Sequence, residues 1–376
     1  MDWQTHARRL AADVVRPDSR WHEPLADTPR HVFVPRWWEN LDGVWELRDG
    51  TADPEAWMRA AYADRTLVTR VGPVHADLAE PGAIVTEGKP TSSSTLPGLV
   101  VSMYRHAMIN DDSRVLVTTG TGYGTALLCR RLSDQLVTSV DVDPYLVGVA
   151  RERLASIGLS PRMASADITG PLPGAFDRIV STVSVRPVPA SWLAALRPGG
   201  RLVTTIAGTG LVLVADKTRD GGAKGRIAPD AAGFMRTRHG DDYEHTTGEV
   251  WEKAQASDGD QVSTSPYPLL YVPDSWEVMS MLELLAPSID HRVAQVGDER
   301  TVWLLHQDGS WARATAVGFL GSPTVHQGGP RRLWDVLEKI RHRLNREGGL
   351  PVYGAQVAID PDGTTTLSRG SWTTTL

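Results

Sequence analysis

The stretch Arg114 to Asp143, RVLVTTGTGYGTALLCRRLSDQLVTSVDVD, carries the clearest structural pattern in the sequence. An apolar run at 115–117 leads into the glycine turn Gly120-Thr121-Gly122-Tyr123-Gly124, a helical segment follows, and a second β-rich run ends on Asp141. The glycines allow a tight turn and a close approach of the backbone to a ligand. The helix N-terminus supplies free N–H groups, and an acid about 20 residues on can hold ribose hydroxyls. This order of strand, turn, helix, strand and acid predicts a nucleotide-type binding site.

Two nucleotide-type ligands compete for this motif, a dinucleotide and S-adenosylmethionine. The dinucleotide fingerprint is G-x-G-x-x-G, and here the third glycine, Gly124, comes one residue early. That spacing favours S-adenosylmethionine. A plain strand–turn–helix that binds no ligand is the remaining alternative, because glycine turns are common.

The composition excludes several classes of protein. The chain has 376 residues, too many for one typical domain, so we expect two. The net charge of −6 argues against nucleic-acid binding, which asks for a basic footprint. No apolar run approaches the ~18 residues of a membrane span, and the N-terminus has no signal pattern. The single cysteine, Cys129, cannot form an internal disulfide. We therefore expect a cytoplasmic protein with no membrane partner.

The region 114–206 alternates β and α patterns, which predicts a mostly parallel sheet with helices on both faces. Ligands of such sheets lie at the carboxyl ends of the strands. The glycine turn, Asp141, Asp167 and Thr182 to Ser184 would all lie along that edge. An antiparallel pair at 211–214 and 226–228 is expected to close the sheet.

The flanking regions are less regular. Residues 1–60 are predicted to be helical and irregular, and 61–98 rich in loops. The run Thr91 to Thr95 is either a flexible linker or a polar lining for a ligand. A helix is predicted after it, with Ser94 or Thr95 as N-cap and Pro97 in the first turn.

The C-terminal part has the character of a small α+β unit without a catalytic signature. A hairpin is predicted around 307–310, an amphipathic helix from Pro330 to Gly348, and a last strand pair at 352–359 and 364–368.

The motifs resemble those of the protein-L-isoaspartate O-methyltransferase family between about Thr28 and Arg238. They are, in chain order, Pro29-Arg30-His31-Val32-Phe33-Val34-Pro35 for P-R-x-x-F-V-P, Ala61-Tyr62-Ala63-Asp64 for A-Y-x-D, Gly120 to Gly124 for the G-T-G-x-G cofactor loop, Asp141 for the ribose acid, Ala166-Asp167 for G-D, Phe176 to Ile179 for F-D-x-I, and Leu196 to Leu202 for L-x-P-G-G-R-L.

Two departures from the family pattern concern the site. Thr118 stands where an acidic residue usually precedes the glycine loop. The hydroxyl motif T-I-S-Q-P reads Ser93-Ser94-Thr95-Leu96-Pro97, so Thr95 takes the place of the active-site serine. The longer form from Pro90 to Pro97 resembles a branch of methyltransferases that accompany ATP-grasp ligases in making graspetide peptides. Members of that branch carry a C-terminal extension of similar size.

The resemblance implies an α/β fold with a Rossmann-like S-adenosylmethionine-dependent methyltransferase domain at 61–240. An N-terminal helical segment, 1–60, precedes it, and a C-terminal α+β extension, 241–376, follows as a candidate for peptide recognition. S-adenosylmethionine is the implied cofactor and S-adenosylhomocysteine its product, and no metal is expected. The expected catalytic residues are Ser93, Ser94 and Thr95. The expected cofactor-binding residues are Thr118, Gly120, Thr121, Gly122, Tyr123, Gly124, Asp141, Val142, Asp167, Ile168 and Thr182.

The implied reaction is methyl transfer to a carboxylate. Three hypotheses remain open. The first is a methyltransferase whose partner is a modified ribosomal precursor peptide, where the methyl ester of an ordinary Asp closes to an aspartimide. The second is an isoaspartyl repair enzyme, against which Thr95 and the extension argue. The third is a module that binds cofactor or peptide without catalysis, for which Thr118 is the only hint.

Overall fold

A computed structural model describes residues 2–238, 247–318 and 320–376. The elements of the N-terminal part are α1 (Trp3–Val14), α2 (His22–Ala26), β1 (Arg36–Leu41), β2 (Val44–Asp49), α3 (Pro54–Ala61), β3 (Leu67–Val71), β4 (Val74–His75), β5 (Ile84–Val85) and β6 (Pro90–Ser94). The strands form a small sheet in the order β4-β3-β1-β2-β5, with β6 also paired to β3.

This small sheet differs from the predicted helical and loop-rich segments. The hairpin β1–β2 turns at Asp42 and Gly43, which both have positive φ, and Trp37 and Trp38 of β1 are buried. An Asp-Gly pair between two β-rich runs is a strong hairpin signal. Strand β1 pairs with β3 through Trp38 and Val68, so the small sheet crosses the expected boundary at residue 60.

The central sheet begins with five parallel strands in the order β9-β8-β7-β10-β11, as the alternating pattern predicted. Because the first strand of this unit lies between the second and the fourth, the chain order reverses there and leaves a crevice at the carboxyl edge. The elements are α4 (Pro97–His106), β7 (Val115–Thr118), α5 (Tyr123–Arg131), β8 (Val137–Asp141), α6 (Pro144–Ser156), β9 (Arg162–Ser165), β10 (Phe176–Val185), α7 (Ala190–Ala195) and β11 (Leu196–Ile206).

The antiparallel pair β12 (Leu211–Lys217) and β13 (Ala223–Ala231) forms where it was predicted, but it does not close the sheet. The described C-terminal chain adds three more antiparallel strands to the edge of β13, so half of the ten-stranded sheet is antiparallel to its neighbours. The C-terminal elements are α8 (Gly248–Ala256), β14 (Gln261–Thr264), α9 (Trp276–Leu285), β15 (Asp290–Val296), β16 (Glu299–Leu305), β17 (Trp311–Val317), β18 (Thr324–Gly328), α10 (Leu333–Glu347), β19 (Gln356–Ile359), β20 (Thr365–Arg369) and β21 (Trp372–Thr375).

Within the C-terminal part, the predicted hairpin β16–β17, the helix α10 and the pair β19–β20 are confirmed. Leu333, Leu337 and Ile340 form the buried face of α10. Strands β14 to β18 form a separate sheet in the order β14-β18-β17-β16-β15. The expected boundary between 240 and 241 lies outside the described residues. No helix in the described ranges is long and apolar enough to cross a membrane.

Candidate active site

Asp141 ends β8 and faces the glycine turn. Its Oδ2 accepts the Gly120 N–H at 3.0 Å, and its Oδ1 accepts the Asp143 N–H at 3.1 Å. Burial raises the pKa of this carboxyl above its ordinary value, while the two backbone donors act against the rise. The donors also fix the orientation of the carboxylate. A carboxylate held in this way beside a glycine turn is suited to ribose hydroxyls.

The three glycines of the turn have different functions. Gly120 and Gly122 have φ of +50° and +92°, conformations that L-residues rarely adopt. Gly124 lies within the first turn of α5, where its missing side chain leaves room for α4: a Cβ there would stand 2.8 Å from the Tyr104 hydroxyl. The third glycine of the motif therefore allows two helices to pack closely.

Replacing Gly124 with alanine is expected to destabilise the protein by about 1–3 kcal/mol, the usual cost of inserting a methyl group into a packed site. Because the nearest atom is the Tyr104 hydroxyl, the change Tyr104→Phe should restore much of the loss when it is combined with Gly124→Ala. Equilibrium urea unfolding of both single variants and the double variant measures this coupling. Strictly additive effects would mean that the hydroxyl is not the source of the clash.

Thr118 and Thr182 meet at the reversal of strand order. Their hydroxyls lie 2.6 Å apart, and the Thr182 N–H donates to Thr118 Oγ1 at 2.9 Å. Thr118, in the position where the resembled family carries an acid, thus links the end of β7 to the middle of β10.

Most of the predicted site residues line one cavity of about 1020 Å³ at the carboxyl edge, part of it open to solvent. They are Ser93, Thr95, Thr118, Gly120, Asp141, Val142, Asp167, Ile168 and Thr182. An adjoining space of about 350 Å³ is lined by the predicted residues Ser94, Thr121, Tyr123 and Gly124. Gly122 lines neither; a Cβ there would lie 3.0 Å from the Ala150 Cβ, against α6.

The run of hydroxyl residues from Thr91 to Thr95, called the hydroxyl segment below, does not cap the following helix, so the predicted N-cap at Ser94 or Thr95 is wrong. Leu96 is the residue before α4, and the Gly98 N–H is instead capped by Asp64 Oδ1 at 2.7 Å. Ser93 lies in β6 and Thr95 follows directly after this strand, and both line the main cavity. Ser94, by contrast, is buried and faces the adjoining space. Within the described chain, the Ser93 and Thr95 hydroxyls have no hydrogen-bond partner, so they are available to a ligand.

Arg30 holds this segment in place and was not singled out as a site residue. The side chain is completely buried, and its two terminal nitrogens donate to the carbonyl oxygens of Ala61, Ala63, Arg65, Ser94 and Thr95 at 2.8–3.3 Å. Burial lowers the pKa of Arg30 to about 10, so it remains charged at neutral pH. Arg30 therefore connects the A-Y-x-D turn to the hydroxyl segment.

Other cavity residues also escaped prediction. Thr66, Thr91 and Ser92 line the cavity together with Ser93 and Thr95, and these five residues form its hydroxyl wall. Residues 233–238 form a second wall. Three tryptophans of the C-terminal part that could have offered contacts to a peptide, Trp303, Trp311 and Trp334, are at most 9% exposed. They pack in the interior, so contact with a peptide is excluded for them in this conformation.

The lining fits S-adenosylmethionine. Asp141 presents a fixed carboxylate for the ribose, and Val142 and Ile168 offer apolar contacts. The glycine turn at the start of α5 leaves backbone N–H groups that can bind polar groups of the cofactor.

Comparison with known proteins points to one family. A family model described as Protein-L-isoaspartate(D-aspartate) O-methyltransferase (PCMT) matches residues 78–230. The protein-L-isoaspartate O-methyltransferase of Anaeromyxobacter dehalogenans (strain 2CP-C) is 32% identical over 171 residues, which are 44% of this chain and 72% of that relative. The protein of the same name from Myxococcus xanthus (strain DK1622) is 35% identical over 121 residues, 30% of this chain and 55% of that relative.

A solved protein-L-isoaspartate O-methyltransferase structure aligns with 97% of this chain and 99% of its own length, with a TM-score of 0.52 and 16% identity. At that identity the alignment establishes a shared fold. The shared length includes the C-terminal part.

Proposed function

The chain belongs to the protein-L-isoaspartate O-methyltransferase family, and on that premise we propose that it methylates an Asp side chain of a cross-linked, ribosomally made peptide of the graspetide type. The class of enzyme is an S-adenosylmethionine-dependent carboxyl methyltransferase. The proposal adds the substrate and the fate of the ester.

One observation carries the proposal: the hydroxyl wall and the fixed carboxylate of Asp141 line the same cavity. When bound, S-adenosylmethionine supplies a methyl group on a positively charged sulfur, which passes to a carboxylate oxygen as the S–CH₃ bond breaks. A peptide Asp has a pKa near ~3.9, so at neutral pH it is already a nucleophile and needs no general base. The residues of the site then have to position it and exclude water.

Ser93 and Thr95 are suited to that positioning. Both line the cavity, and both hydroxyls lack a partner among the described residues. Each can donate a hydrogen bond to one carboxylate oxygen and leave the other oxygen directed at the methyl group. Neutral donors are appropriate, because the carboxylate loses its charge during transfer and a strong ion pair would stabilise the reactant more than the transition state.

The methyl ester then allows ring closure. The backbone nitrogen of the next residue attacks the ester carbonyl, the new C–N bond forms, and methoxide leaves with the nitrogen's proton as methanol. Relative to the starting Asp the peptide loses one water. A cross-linked peptide that is held in a bent conformation favours this closure, because little further entropy is lost.

Isoaspartyl repair is the alternative function. The relatives are named for methyl transfer to protein L-isoaspartate, the reaction on which such repair depends. The substitution of Thr95 for the serine of the resembled motif speaks against it. The C-terminal part does not discriminate between the two functions, because a structure named protein-L-isoaspartate O-methyltransferase aligns with this chain over nearly its whole length.

Intact mass spectrometry tests the proposal. The protein and S-adenosylmethionine are incubated with the cross-linked peptide encoded beside the gene, and separately with a short isoaspartyl peptide and its ordinary Asp counterpart. We expect a gain of one methyl group on the cross-linked peptide, followed by net loss of one water. Methylation of the isoaspartyl peptide alone would assign repair, and cofactor binding without any methyl transfer would assign a non-catalytic module.

A further inference from the structure

Asp143 connects Asp141, the acid suited to the ribose, to helix α6. The Asp143 N–H donates to Oδ1 of Asp141 at 3.1 Å. The side chain of Asp143 accepts the Tyr145 N–H through its Oδ1 at 3.0 Å, so Asp143 is the N-cap of α6. The orientation of the Asp141 carboxylate therefore depends on the position of the Asp143 backbone, and a residue that holds Asp143 also holds Asp141.

His75, in strand β4 of the small sheet, holds the other oxygen of Asp143. Its Nε2 lies 3.1 Å from Asp143 Oδ2, and both side chains are 10% exposed. The imidazole also packs against the ring of Tyr145, with 4.5 Å between the ring centroids. Burial alone would raise the pKa of Asp143, but the hydrogen bond from His75 and the nearby positive charges lower it to about 2. Because an ionised carboxylate only accepts hydrogen bonds, Nε2 is the nitrogen of His75 that carries the donated proton.

The hairpin β3–β4 that carries His75 also connects to the hydroxyl wall. Arg70 of β3 lies opposite His75 in the hairpin, and β3 also pairs with β6, where Arg70 lies opposite Ser92. Guanidinium nitrogens of Arg70 and Arg238 each lie 3.6 Å from Asp143 Oδ2. Of these three contacts to Oδ2, that of His75 is the shortest. One small sheet thus holds Asp143 and supplies part of the wall expected to position the reacting carboxylate.

We propose that His75 is a positioning residue for the cofactor: by holding Asp143 it orients the Asp141 carboxylate and fixes its place relative to the hydroxyl wall. His75 and Asp143 lie outside the lining of the cavity, so His75 acts through another residue. Hydrogen bonds to ionised groups are stronger than those between neutral groups, and a binding group keeps its geometry only when the residues behind it are themselves held. The inference rests on the assignment of Asp141 to the ribose and is independent of the choice of peptide substrate.

Calorimetric titration of the full-length protein with S-adenosylhomocysteine tests the inference without turnover. His75→Met keeps a side chain of similar size but removes the donor, and it should raise the dissociation constant about fivefold. His75→Gln places an N–H donor at a similar reach and should bring the constant back to within about twofold of the wild type. His75→Asn is a second, polar replacement whose shorter side chain cannot reach Oδ2, and it should behave like His75→Met. A role in packing alone would not separate the Gln variant from the other two.

His106→Met is the matched control. His106 also contacts a carboxylate through Nε2, that of Asp230 at 2.7 Å, but it lies at the end of α4 and outside the cavity lining, so its replacement should leave the affinity unchanged. In the Asp143→Ala background, where the acceptor is gone, His75→Met should have no further effect.

Three results would overturn the proposal. The first is wild-type affinity in both His75→Met and His75→Asn, and the second is a His75→Gln variant that binds as weakly as they do. The third is a His75→Met effect that keeps its full size in the Asp143→Ala background. Titration of Asp141→Asn tests the assignment of Asp141 separately: if that variant binds like the wild type while His75→Met binds weakly, the path through Asp141 is wrong.

Discussion

Replacing Arg30 with alanine is expected to lower the free energy of unfolding by about 4 kcal/mol or more. Arg30 is fully buried, and five main-chain carbonyls from two segments, 61–65 and 94–95, accept its hydrogen bonds. A buried acceptor that loses its partner costs about 1–3 kcal/mol, and the vacated volume adds a cavity cost. Some of the carbonyls will recover water, so the sum of the individual costs is an upper limit.

Urea unfolding followed by tryptophan fluorescence measures the loss. Arg59→Ala is the matched control, because the ion pair that Arg59 makes with Glu55 on α3 is exposed, and the change should cost less than about 1 kcal/mol. Arg30→Lys keeps the charge but has fewer donors and should fall between the two. A variant Arg30→Ala as stable as the control would show that these carbonyls do not depend on the guanidinium.

The second large effect is expected on cofactor affinity. Asp141→Asn removes the charge of the side chain. It also replaces one carboxylate oxygen by an amide NH₂, which cannot accept the backbone N–H of Gly120 or Asp143 that the oxygen accepts in the wild type. A hydrogen bond to a charged group contributes about 1.5–3 kcal/mol. The dissociation constant of S-adenosylhomocysteine should therefore rise by roughly 10- to 150-fold.

Isothermal titration calorimetry gives that constant directly. Asp177→Asn is a suitable control, since Asp177 also accepts a backbone N–H, from Arg114 at 2.8 Å, but lies at the start of β10, away from the carboxyl edge. The control should bind with wild-type affinity. An Asp141→Asn variant within threefold of the wild type would remove Asp141 from the cofactor site.

Local patterns predicted the centre of the fold. The order of strand, glycine turn, helix and acid from Val115 to Asp141 is encoded within one short stretch, and the parallel strands followed from the alternation after it. The Gly120–Asp141 contact joins residues only 21 apart. Sequence motifs can predict contacts of this kind, because the residues involved lie close together in the chain.

Contacts between distant segments could not be predicted in this way. Arg30 meets Thr95 across 65 residues, and Arg236 meets Glu283 across 47. The pairing of β13 with β19 joins Ala223 to Ile359, and nothing in either strand alone specifies the other. In each case the sequence shows that a polar side chain or a strand requires a partner, but the partner is identified only in the folded chain.

The stability of the product bond tests whether the methyl group goes to a carboxylate oxygen. The cross-linked peptide is incubated with the enzyme and S-adenosylmethionine that carries a radiolabelled methyl group, and the isolated product is treated with mild base. A carboxyl ester should release the label as volatile methanol when it is hydrolysed by base. Spontaneous closure of the ester to the aspartimide should release labelled methanol as well. Label that stays on the peptide through base treatment would place the methyl group on nitrogen or carbon and contradict the account.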